Sequence, residues 1–459
     1  MIRRQNQIVV LLMLLCVIGG GVHAVQAQFA QADRDSINRY SYLDFQEMKK
    51  SLSIEIENRP GPSGDPLAAN AANTDESNVR SYSLPNPLMF SDGKKVTNQK
   101  DWWAKRRSEI VNDFESEVYG RLPETLPKVN WVVKSVKDTI VGSFPVQEKT
   151  MLGIVDNSAF PEIKVEIELV VGTPKEATGP VPVVMEFGFI NWPFGKRAPE
   201  PNYFMSAYEP LWKQQLLSQG WGYAILVPSS IQADHGAGLK SGIIGLVNKG
   251  AARAPEEWGV LRAWAWGASR ALDYFEKDAD VDQKKIAIEG TSRYGKAALV
   301  TMAFDARISL GFIGSSGEGG ASIMRRNFGE QVENLASSSE YHWFCGNFIK
   351  YASSLTIDDL PVDAHELITL CAPRPVFISA GSHFIEGQWV DAKGMFLAGV
   401  HAQPVYQLLG AKGLGTNDFP VLGFPLINGE IAFRQHAGGH STGPNWSTWI
   451  AWAHRYWDK

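Results

Sequence analysis

Cysteine is scarce in this 459-residue chain, which has three. Cys16 falls in an N-terminal apolar run, leaving Cys345 and Cys371 downstream. Two cysteines cannot build a disulfide scaffold, and no Cys or His spacing suits a structural zinc site. One bridge between them or two buried free thiols both stay open at this level. Basic clusters are missing as well. With 44 Lys+Arg against 49 Asp+Glu the formal net charge is −5, and no basic face is present to attract nucleic acid. Beyond the N-terminal run there is no further long apolar stretch and no internal repeat. No membrane association is therefore expected of the mature chain.

What is present suits a large globular protein. Hydrophobic residues make up 44% of the chain, with 43 Gly, 25 Pro and 15 Trp, which excludes collagen-like and wholly disordered chains. Met1 to Ala27 carries Arg3 and Arg4, the apolar run Ile8–Ile18 and a closing Val25-Gln26-Ala27. That is the layout of a signal peptide cleaved near Ala27, since the run is far short of the roughly 20 residues of a membrane span. A secreted or periplasmic protein is expected. Residues 28–84 are polar and broken by Pro60-Gly61-Pro62, and are read as an extended N-terminal arm or linker.

From residue 85 to 459 one catalytic domain is expected. Asp101 is a candidate N-cap for a helix through Tyr119. Val129–Val136 and Ile163–Val171 alternate as half-exposed strands. Short apolar strands then alternate with amphipathic helices: strands at Val181–Phe187, Tyr223–Val227, Ile286–Glu289, Leu310–Gly314 and Pro375–Ala380; helices at Trp258–Phe275, Tyr294–Phe304 and Trp446–Tyr456. This order predicts an α/β fold with a mainly parallel sheet covered on both faces.

The sharpest local signal is Glu289-Gly290-Thr291-Ser292-Arg293-Tyr294-Gly295-Lys296. A buried strand enters a tight turn with a serine at its tip, and a small-residue helix leaves it. That is how a nucleophile elbow is built, although Gly290, Ser292 and Gly295 give G-x-S-x-x-G rather than G-x-S-x-G. Free N–H groups at the helix start favour a developing oxyanion. Arg293 adjoins the serine, and Lys296 lies one turn along the same face.

The segment from Gly290 to Lys296 closely resembles the G-C-S-R-x-G-K signature of the glucuronoyl esterases, carbohydrate esterase family 15, with Thr291 in place of the usual cysteine. Matches continue at Ser316-Gly317-Glu318-Gly319-Gly320, Tyr341-His342-Trp343-Phe344, Ala372-Pro373-Arg374-Pro375, Gln388-Trp389-Val390-Asp391 and His436-Ala437-Gly438-Gly439-His440. Order and spacing resemble the bacterial members from about residue 85 onward. The resemblance implies an α/β-hydrolase, a three-layer sandwich, and no cofactor or metal. Thr291 implies loss of the disulfide that fungal members build from that position.

A serine nucleophile needs an imidazole base and an acid to orient it. In α/β-hydrolases the chain order is Ser, acid, His. His440, in a glycine-rich loop before the last helix, is the candidate base, with His436 its rival; the resemblance selects His440. The acid position common in the family, after the strand that follows the elbow, is Ser315 here. Some bacterial relatives place the acid after the next strand, which points to Glu386, ahead of Asp391 and then Glu318.

For substrate binding the resemblance implies Trp389 as a sugar platform, with Lys296 and Glu340 bonding to sugar hydroxyls, while Glu333 and Gln331 are weaker candidates. Charge-assisted bonds suit that task. The expected protein is a monomeric serine esterase acting on glucuronoxylan or lignin–carbohydrate esters. Rival readings are an acetyl xylan esterase on the same fold and an inactive carbohydrate-binding relative.

Overall fold

The computed structural model of the chain describes residues 33–190 and 211–458; the expected signal peptide lies outside them. At the centre of the described residues is a nine-stranded sheet in the order β1-β2-β3-β5-β4-β6-β7-β8-β9. Its strands are β1 (Val129–Val141), β2 (Phe144–Val155), β3 (Glu166–Pro174), β4 (Val181–Phe187), β5 (Gly222–Leu226), β6 (Val281–Thr291), β7 (Leu310–Gly314), β8 (Val376–Ala380) and β9 (Ile431–Gln435). β1, β2, β3 and β5 pair antiparallel, whereas β5, β4, β6, β7, β8 and β9 run parallel. Every residue of β5, β7 and β8 is buried, as parallel strands with helices on both faces must be.

Alternation along β6 shows the two-sided core. Ile286 and Ile288 enter one apolar cluster and Ala287 the other, because successive side chains leave opposite faces of a strand. On the first face lie the helices Val260–Phe275 and Arg293–Phe304. On the second, the closing helix Trp446–Trp457 packs Trp449 against Phe312, with stacked centroids 5.6 Å apart, and Trp452 against Phe377. Much of the tryptophan content is thus core aromatic surface, whose burial contributes more per residue than any aliphatic side chain. This is the three-layer α/β-hydrolase fold.

Several local expectations shift. The helix read from Trp102 begins at Gln99, because the side chain of Asn98, rather than Asp101, accepts the Asp101 N–H at 2.9 Å. β2 was not anticipated: Pro145 and three charged or amide residues blur its alternation, and it forms by pairing across the two-residue turn at Gly142, φ +63. The helices Ala364–Cys371 and Ala392–Leu408 were likewise missed; the second contains Gly394, Gly399 and Pro404. Cys345 and Cys371 are both free and buried, and burial pushes their thiols up to about 12 and about 11.

The largest correction concerns residues 33–51, within the segment read as an arm or linker. Instead of an extended surface arm, residues 33–51 are helical, and Phe45, Met48 and Ile54 are buried in the main core. Ser41, Phe45, Met48 and Leu52 recur at helical spacing, a stripe diluted by its polar neighbours.

Candidate active site

Ser292 stands between β6 and the helix Arg293–Phe304 with φ 62 and ψ −131. This region is sterically hostile to side chains and is held by what surrounds it. A Cβ on Gly290 would lie 2.2 Å from the Tyr294 carbonyl oxygen, and one on Gly295 would lie 2.6 Å from that of Gly314. Both signature glycines are therefore required by the close approach of strand and helix. The Ser292 N–H donates to the Gly314 carbonyl at 2.9 Å, which ties the elbow to β7.

His440 and Glu386 meet although 54 residues separate them: His440 Nδ1 lies 2.6 Å from Glu386 Oε1. The second carboxylate oxygen of Glu386 accepts the Gly381 N–H at 2.6 Å, so this carboxylate is fixed by the end of β8. Its side chain is 2% exposed and that of His440 is 30% exposed, a dry carboxylate behind an accessible imidazole. With Nδ1–H given to the carboxylate, Nε2 is left as the basic nitrogen.

The rivals have other work. His436 accepts the Gly438 N–H at Nδ1, 3.0 Å, and its Nε2 lies 2.7 Å from the Ser441 carbonyl oxygen, bracing the loop that carries His440. Burial lowers its pKa. Asp391 takes Arg326 Nε at 2.8 Å and caps the helix Ala392–Leu408 through the Gly394 N–H. Glu318 is buried, with Oε1 unpartnered among the described residues. Ser315, the vacant acid position, is buried with φ +42. The His440 loop is pinned to the elbow strand, since Thr442 Oγ1 donates to Glu289 Oε1 at 2.7 Å. Burial, and then Glu186 on the neighbouring strand β4, raises the Glu289 carboxyl well above its ordinary range.

On the other side of the elbow, Lys296 is buried and its Nζ donates to the Glu318 carbonyl at 2.5 Å and to Glu330 Oε2 at 2.9 Å. The same Nζ lies 5.8 Å from the centroid of Trp343. Trp389 is joined to this wall by its backbone, its carbonyl accepting the Glu330 N–H at 3.0 Å. Glu340 Oε2 is buried without a partner among the described residues. Burial pushes its carboxyl up to about 7, helped by Glu330 and opposed by Lys296 and Arg293. Arg293 makes an ion pair with Asp234 Oδ2, Nε to oxygen 2.5 Å. Glu333 points away to Arg59, at 3.0 Å.

Sequence reasoning missed Asp234 and the support from the N-terminal segment. Tyr341 donates to Asp44 Oδ2 at 2.5 Å, Asn58 Nδ2 to the Ala336 carbonyl at 3.0 Å, and the Gly329 N–H to the Asn73 carbonyl at 2.8 Å. Gln388 donates to the Thr74 carbonyl at 2.8 Å, and Glu76 binds both Arg326 and Lys393. Residues 33–78 thus strap together the segments that carry Glu330, Glu340 and Trp389. These bonds join positions some 250 to 320 residues apart, a separation at which no local pattern signals contact.

Similarity to known proteins agrees with this geometry. Residues 253–410 match the family model for glucuronyl esterase, fungi. The chain is 33% identical over 409 residues to the carbohydrate esterase MZ0003 of an unknown prokaryotic organism, covering 83% of this chain and 91% of that protein. It superposes on a family 15 glucuronoyl esterase from Teredinibacter turnerae T7901 with TM-score 0.85 and 42% identity, covering 91% of this chain and 100% of that one. A glucuronoyl esterase from Solibacter usitatus gives TM-score 0.73 at 34% identity, covering 83% and 100%. The chain belongs to carbohydrate esterase family 15, the glucuronoyl esterases, and is a carboxylic ester hydrolase.

Proposed function

We propose that this enzyme hydrolyses esters of glucuronic acid or 4-O-methylglucuronic acid, including those that join xylan side chains to lignin, through an acyl-enzyme on Ser292. The observation that carries the reading is the His440–Glu386 pair, 2.6 Å apart, delivered to the same edge of the sheet as the strained Ser292 elbow. Ser292 Oγ attacks the ester carbonyl while His440 Nε2 takes its proton. Backbone N–H groups at the elbow and Arg293 stabilise the oxyanion. The intermediate collapses, the C–O bond to the alcohol breaks, and His440 returns the proton to the departing oxygen. Water then attacks the acyl-enzyme, giving a proton to His440, and the uronate leaves as Ser292 is reprotonated.

Lys296, Glu340 and Trp389 are proposed to hold the sugar. Glu340 presents a buried oxygen without a partner among the described residues, and a sugar hydroxyl would supply a bond to it. Initial rates on methyl and benzyl glucuronate esters, set against acetylated xylan, test the proposal. Glucuronate esters are expected to be the better substrates by at least about tenfold, roughly 1.4 kcal/mol in transition-state binding; preference for the acetyl substrate would overturn it. The signal peptide, export and monomeric state remain part of the same proposal.

Glu340 also predicts a pH effect on stability. Its folded-state pKa of about 7 exceeds the ordinary 4.5, so folding favours the protonated form. The corresponding stability is complete below about 4.5 and is lost as pH rises through about 7. Glu340→Gln removes this contribution, so the drop in melting temperature between pH 5 and pH 8 should be smaller in the variant than in the parent. An unchanged difference would show that Glu340 titrates normally.

A further inference from the structure

Asp234 belongs to the loop after β5, and none of the signature segments contains it. Two hydrogen-bonding rings and one guanidinium cation, from two other parts of the chain, converge on its carboxylate. Trp343 Nε1–H donates to Oδ1 at 2.6 Å, His342 Nε2 lies 3.2 Å from the same oxygen, and Arg293 Nε lies 2.5 Å from Oδ2. Its side chain is 24% exposed and that of His342 is 3% exposed. The indole is oriented by its hydrogen bond to the carboxylate, whereas Arg293 Nε meets Oδ2 as a close ion pair outside hydrogen-bond geometry, so the carboxylate fixes the plane of the one and the position of the other's charge.

The two segments that meet at Asp234 share a further anchor. Ser41 Oγ accepts the Ala237 N–H at 2.9 Å, Tyr341 donates to Asp44 at 2.5 Å, and Lys240 reaches Glu47 at 2.8 Å. The helix over 33–51 therefore holds the Asp234 loop and the Tyr341–Trp343 turn against one another. Opposing influences act on the carboxylate itself. Burial raises its pKa, but the His342 hydrogen bond and the charge of Arg293 outweigh burial and hold it below the ordinary value. Burial meanwhile lowers that of His342, so the pair is a carboxylate accepting from a neutral ring.

We infer that Asp234 is a positioning residue for ester hydrolysis: it aims the Arg293 guanidinium at the oxyanion beside Ser292 and locks that aim to the Trp343 wall of the sugar site. This inference rests on the proposed oxyanion role of Arg293. A wandering guanidinium would have to be reordered in each turnover, whereas a preorganised one stabilises charge without that cost.

The test is a double-mutant cycle in the full-length protein, with a benzyl glucuronate ester as substrate. Asp234→Asn keeps the size and one acceptor but removes the charge. It is expected to lower kcat about 10- to 100-fold with KM changed less than about threefold. In an Arg293→Ala background the same substitution should cost less than about twofold, because the two residues act as one unit. Asp234→Glu, which restores the charge, should recover at least about fivefold over Asp234→Asn. If Asp234→Asn proves unstable, the cycle is read with Asp234→Glu, whose loss should likewise shrink when Arg293 is absent. An equal cost with and without Arg293, or no cost at all, would overturn the inference. If Arg293→Ala alone leaves kcat intact, the oxyanion role of Arg293 fails instead.

Discussion

Ser292→Ala is expected to lower kcat on a methyl glucuronate ester by about 10⁴- to 10⁶-fold, the range in which removal of a serine nucleophile falls. The substitution deletes the oxygen that would form the acyl bond and little else. The Ser292 N–H bond to Gly314 at 2.9 Å is a backbone bond and survives. Alanine and serine meet nearly the same steric resistance at φ 62, so the melting temperature should stay within a few degrees of the parent. Residual rate would come from binding and from the remaining oxyanion donors. Single-turnover measurements with mass detection of the acylated protein give the check, and a loss of less than tenfold would remove Ser292 from the role of nucleophile.

Glu386→Ala and Asp391→Ala should fail in different ways. Without Glu386, His440 loses the acceptor at Nδ1 and the Gly381 N–H loses its partner. The imidazole can then adopt the wrong tautomer, and a fall in kcat of about 10³- to 10⁴-fold is expected. Asp391 instead neutralises Arg326, the two side chains each 4% exposed, and caps a helix from an αL backbone. Its removal leaves Arg326 buried, paired with the half-exposed Glu76. A stability loss of about 3–5 kcal/mol follows from breaking such a pair, with kcat close to that of the parent well below the melting transition. Parallel thermal melts and initial rates separate the two. If Asp391→Ala lost the rate and Glu386→Ala kept it, the assignment of the acid would be reversed.

The strands β4 to β8 and the helices Val260–Phe275, Arg293–Phe304 and Trp446–Trp457 are legible because each is buried on a regular period, whereas β9 and the helices Ala364–Cys371 and Ala392–Leu408 are not. Leu310–Gly314 is read to the residue. Legibility fades where an element is stabilised by a partner rather than by its own periodicity. β2 depends on its hairpin with β1, and the helix Ala392–Leu408 depends on a cap from Asp391 and tolerates Pro404 inside it.

The site divides in the same way. Ser292, Arg293 and Lys296 fall within five residues, so the short-range geometry of a strand, a turn and one helical turn brings them together, and the sequence by itself determined that cluster. It determined His440 and Glu386 as candidates but not their contact. Whether Glu386 or Asp391 faced the imidazole was decided by tertiary structure, through a 2.6 Å bond across 54 residues on one side and a buried arginine on the other. The same holds for Asp234 and for the N-terminal segment. Both read as ordinary polar sequence, since a carboxylate's partners and a helix's footing are set by segments that become neighbours once the sheet has closed, and spacing along a chain carries no record of that distance.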